Sequence, residues 1–101
     1  MMMTAHLDTE AGNAGIRSGK LMATIQQMIA DLKPEASYFT TDNEGRRTAI
    51  VVFDMKDSSQ IPGAAEPLFL TYNAAVTFRP VMNVQDLAAA GPGIERAAKE
   101  S

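Results

Sequence analysis

The sequence predicts an α+β fold: an antiparallel four-stranded sheet, helices on one of its faces, and a terminal helix. Three observations predict it. Arg46–Met55 holds the longest β-branched and aromatic run, Ile50, Val51, Val52 and Phe53, which is strand chemistry. Lys20–Lys33 repeats large apolar residues at helical spacing. Strand-like and helix-like segments follow one another as strand, helix, strand, strand, helix, strand. With 101 residues the chain is one domain with one core.

Taken in order, Met1–Leu7 is the first strand. Alternation puts Met1, Met3, Ala5 and Leu7 on one face and Met2, Thr4 and His6 on the other. Asp8 and Thr9 offer N-cap oxygens, and Glu10 suits a first turn. A short helix over Thr9–Arg17 then stops at Ser18-Gly19, with Gly19 beyond its end. In Lys20–Lys33, Leu21, Ile25, Met28 and Leu32 form an apolar stripe with Met22 and Ile29 beside it, and Pro34 ends the helix. Ala36–Thr41 is the second strand. Asp42-Asn43-Glu44-Gly45 is a turn, so Arg46–Met55 closes a hairpin.

Lys56–Ile61 is a loop. In Ser59–Tyr72, the residues Ile61, Ala64, Ala65, Leu68, Phe69 and Tyr72 share one helical stripe. Pro67 is wrong for a helix interior. It predicts either a kink, or a 3₁₀ turn at Ser59–Ile61 with the helix proper starting near Gly63. Asn73 suits the helix end. Ala74–Met82 is the fourth strand, and Pro80, which cannot donate to a ladder, places it at a sheet edge. Asn83-Val84-Gln85-Asp86 reads as a capping box opening a terminal helix that Gly91-Pro92-Gly93 interrupts.

Both faces of Arg46–Met55 are apolar, so that strand is central. The resulting order is the ferredoxin-like βαββαβ unit, with strands one and three inside and two and four at the edges. Helices cover only one face of such a sheet. An apolar second face needs a cover, which predicts a homodimer with sheets packed face to face.

Composition narrows the chemistry. A net charge of −3 argues against sequence-independent nucleic-acid binding. The chain has no cysteine and one histidine, which leaves no thiolate nucleophile and no single-chain cluster of His or Cys metal ligands. GNAGIRSG lacks the ending of a phosphate loop. The expectation is therefore for no cofactor and no metal. No apolar run is long enough for a membrane helix and no signal-peptide pattern is present, so the expected location is cytoplasmic.

The segments EAGN (Glu10–Asn13), KPEASYFTT (Lys33–Thr41), VFDMKDSSQIP (Val52–Pro62), EPLFL (Glu66–Leu70) and RPVMNVQDL (Arg79–Leu87) resemble a small uncharacterised bacterial family of the dimeric α+β barrel superfamily. That superfamily includes cofactor-free monooxygenases and muconolactone isomerases. The resemblance implies a ligand cleft between sheet and helices and makes polar strand residues the site candidates. His6 is the one side chain whose ordinary pKa lies near neutrality, a candidate general base, against the plainer reading of a hydrogen-bonded strand-end histidine. Arg79 is a candidate for a carboxylate, against a rim arginine paired to an acid. Thr4, His6, Thr77 and Arg79 can converge if strands one and four are neighbours, with Tyr38 and Tyr72 as possible donors, against the plainer reading of core or interface packing for each. Asn13 can hold a ligand or cap a turn, and Arg46-Arg47 can balance Asp42 and Glu44.

Three functions stay open. They are a ligand-binding or interaction homodimer, a small enzyme acting on an aromatic or lactone, and an accessory subunit of a pathway.

Overall fold

Strand β3, Arg47–Val52, lies at the middle of the molecule because its alternation is apolar on both sides. The computed structural model describes residues Met1–Ser101 and pairs β3 with β1 (Met2–His6) and with β2 (Ala36–Thr41). Strand β4 (Ala75–Arg79) pairs with the other side of β1. The open sheet is antiparallel throughout, in the order β2-β3-β1-β4. Pro80 follows β4 directly, at the edge position that a missing N–H tolerates. β3 is shorter than the predicted Arg46–Met55. Phe53 lies beyond it, yet its N–H and carbonyl bond the Met1 carbonyl and amino group, each at 3.0 Å.

Five α-helices accompany the sheet: α1 Thr9–Ser18, α2 Lys20–Leu32, α3 Ile61–Tyr72, α4 Val84–Ala89 and α5 Gly91–Glu100. Asp8 caps α1 by accepting from the Ala11 N–H at 3.0 Å. Gly19 takes the left-handed conformation that separates α1 from α2. A 3₁₀ turn at Ser58–Gln60 precedes α3. The helix starts at Ile61, earlier than Gly63, and it keeps Pro67 inside; the ring removes only the bond to the Gly63 carbonyl. Gly91 and Pro92 fall in the first turn of α5, where a missing N–H costs nothing. The terminal helical segment is thus interrupted at Ala90, immediately before the glycine–proline segment, which itself forms the first turn of the second helix.

The core lies between the sheet and α1–α3. Met3, Ala5, Ala49, Val51 and Phe53 face Leu21, Met28, Ala64, Leu68 and Tyr72. Tyr72 is buried, and a Cβ on Gly15 would stand 2.7 Å from its ring. Its hydroxyl meets the Thr24 Oγ1 at 3.3 Å. Tyr72 is therefore a core residue and not a donor at a ligand site. No helix is long and apolar enough to cross a membrane.

Candidate functional site

Residues directly opposite in an antiparallel pair share a face, so the register places every strand candidate. Met3 and Ala5 point to the helices, which turns Thr4 and His6 to the open face. Thr77 stands opposite Thr4, and Arg79 opposite Met2. Tyr38 stands opposite Ile50, itself opposite Thr4. One row across the open face thus reads Tyr38, Ile50, Thr4, Thr77. Two corrections follow. The candidates lie on the open face and not in a sheet–helix cleft. Thr4 and Thr77 do meet, but the four do not gather at one point: His6 pairs with Ala75 at one end and Arg79 with Met2 at the other, four residues or roughly 13 Å apart along the strands. Arg79 is exposed and makes no ion pair.

His6 has partners that the sequence did not reveal. Its Nδ1 lies 3.0 Å from the Asp42 Oδ2 and 3.1 Å from the Thr48 Oγ1. The Thr48 hydroxyl donates its hydrogen to the Arg46 carbonyl, so both groups accept from His6. Nδ1 therefore carries the ring hydrogen, and Nε2 is left as the acceptor in the neutral ring.

Asp42 is held by the turn it starts. Its Oδ1 accepts from the Glu44 and Arg46 N–H groups at 2.9 Å, and its Oδ2 from the Arg46 Nε at 2.8 Å. Burial pushes the Asp42 carboxyl up, but these hydrogen bonds and the Arg46 charge outweigh it and hold the carboxyl below its ordinary range.

The other face of the sheet carries a groove. It runs between β2–β3 and α1–α2 with a volume of about 540 Å³, and nine of its thirteen lining residues are hydrophobic. It exists because the helices cover β1 and β3 but leave the edge strand β2 bare, so that Phe39 is 53% exposed. Ile16 and Met22 form the opposite rim.

Arg47 supplies the only charge in the lining. Its Nη1 donates to the Asn13 Oδ1 at 3.0 Å, so Asn13 neither caps a turn nor stands free. A Cβ on Gly12 would sit 2.9 Å from that nitrogen, so glycine there gives the guanidinium its place. Only Arg46 pairs with Asp42 and Glu44; the one-residue step sends Arg47 to the other face.

A smaller hollow of about 360 Å³ lies between α2 and α3, with Lys20, Gln27 and Asp31 in its wall. No group of three or more His, Asp or Glu side chains stands together to hold a metal ion.

Sequence reasoning missed Arg47, Phe39 and the link from Asp42 to His6. For Arg47 a signal existed, since it shares parity with Ala49, Val51 and Phe53. No family model, curated protein or solved structure matches the chain.

Proposed function

We propose that the chain is a ferredoxin-like domain of the dimeric α+β barrel kind, working as a homodimer that binds a small, mostly apolar carboxylate without transforming it. The observation that carries this reading is the groove between β2–β3 and α1–α2. Its volume and apolar lining suit a small organic molecule. A single guanidinium, oriented by Asn13, offers the bidentate donor that a carboxylate takes. The dimer is supported by the second face of the sheet, where Met2, Ile50 and Val52 are only half-buried, on the side opposite the core residues Met3, Ala49 and Val51.

Thermal shift with 2-naphthoate tests the ligand reading. The wild-type chain is stabilised with a saturable affinity. Arg47→Met weakens that affinity on the order of tenfold or more, the worth of a charge-assisted hydrogen bond, and Arg46→Met leaves it unchanged. Equal responses in the two variants refute the proposal.

A second reading is a cofactor-free monooxygenase- or isomerase-like enzyme acting on a small aromatic or lactone. It is favoured by the His6–Asp42 contact, which orients an imidazole as a general base is oriented. It stands second because His6 faces away from the groove, across the sheet.

A further inference from the structure

We propose that α4 and α5 form a clasp: in the homodimer inferred above, on which this rests, they lie across the groove of the second copy and supply the wall it lacks. The segment after β4 stands outside the body. The radius of gyration is 16.8 Å and the extents are 57 × 28 × 20 Å, where a compact chain of this length has a radius near 13 Å. No residue after Phe78 belongs to the core or packs against it. Yet Val81, Met82, Val84, Leu87 and Ile94 are large, apolar and exposed.

Helices of six and ten residues are marginal without tertiary packing. Asn83 and Asp86 cap α4 reciprocally, at 2.7 and 3.0 Å, but its apolar side chains find no cover in their own body. The sequence thus specifies two amphipathic helices and leaves their partner outside the protomer.

The groove is the complementary surface. Ile16, Met22 and Phe39 stand exposed around its mouth, and it is open along one side. β4 ends at Arg79, in the row of Met2, Val52 and Ala36. The groove lies by Leu7, Thr41 and Arg47, at the other end of the strands and under the opposite edge. The clasp therefore starts at the corner of the sheet farthest from its own groove. Each chain carries one clasp and one groove. Exchange within a C₂ pair satisfies both and closes the assembly.

The chain has no cysteine, so introduced thiols report alone. In the full chain, the double variant Leu87→Cys/Phe39→Cys is oxidised and run without reductant. The expected product is a disulfide-linked dimer, at least tenfold more abundant than from Leu87→Cys/Leu70→Cys, where Leu70 lies exposed on α3. Leu87→Cys/Met22→Cys gives the same dimer and guards against a misfolded Phe39 variant. An intramolecular link, or equal yields from all three variants, overturns the clasp. Light scattering of the unmodified chain separates the two failures. A dimer without these links refutes the clasp alone, and a monomer refutes the homodimer as well.

Discussion

Aspartate placed at Val51 and at Val52 separates the two faces of β3. Val51 is fully buried at 0% exposure, in the core cluster with Met3, Phe53 and Tyr72. Replacing it removes the burial of one aliphatic side chain, about 1.5–3 kcal/mol. The new carboxylate must then be desolvated or kept neutral, which costs several kcal/mol more. The sum is roughly 5 kcal/mol or above, against a total stability of about 5–15 kcal/mol for a domain of this kind. Val51→Asp should therefore populate the unfolded state in buffer.

Val52 is half-buried and opposite Met2 and Ala36 on the open face. There the carboxylate stays solvated in a lone protomer, and the loss is about 1 kcal/mol or less. In a face-to-face pair it is desolvated, and dimer affinity falls on the order of a hundredfold, the equivalent of about 3 kcal/mol. Circular dichroism with urea titration reads the first effect, and light scattering across a dilution series reads the second. A Val51→Asp chain with the wild-type midpoint, or a Val52→Asp chain with the wild-type dimer affinity, refutes the face assignment.

Gly15→Ala gains up to about 1 kcal/mol of helix propensity, but its Cβ would meet the Tyr72 ring at 2.7 Å and the Leu21 Cβ at 3.0 Å. Overpacking costs about 1–3 kcal/mol, so the urea midpoint should fall. A rise would mean that Tyr72 is not held where the structure puts it. Gly63→Ala has nothing within 4 Å in the same kind of element and should raise the unfolding free energy by roughly 0.5–1 kcal/mol; a fall would contradict the helical assignment there. Asp42 has a folded pKa below its unfolded value. Its contribution is present above about pH 4 and is lost as pH falls through the folded value. Asp42→Asn should thus lose less stability than wild type between pH 5 and pH 3. Asp57, shifted down in the same direction by its bonds to Ser59, keeps a residual slope in both chains. Parallel pH profiles would show that the turn does not depend on the carboxylate.

Much of the fold was legible because its signals are local. Asp8 and Gly19 bracket α1 as cap chemistry requires, and β2 has the predicted bounds, Ala36–Thr41. The two-sided apolarity of Ile50–Phe53 identified the central strand before any pairing was known. Pro67 misled slightly, because a helix tolerates one missing bond when Ala64, Ala65 and Leu68 are already packed. The sites were less legible. The convergence of His6 and Arg79 depended on register, and register follows from the whole pairing and not from adjacency of strands. Asp42 reaches His6 across 36 positions, a distance set by how the hairpin closes. The groove is a place where packing is missing beside β2, and no run of residues spells a void.

The central claim is an assembly of two chains that holds a small apolar acid. Native mass spectrometry of the purified 101-residue chain at micromolar concentration tests it most directly. The account predicts a species of twice 10.8 kDa that gains one 2-naphthoate per chain on titration, and that loses this uptake in Arg47→Met while keeping its dimeric mass. A single 10.8 kDa species, or a dimer that takes up no 2-naphthoate, contradicts it.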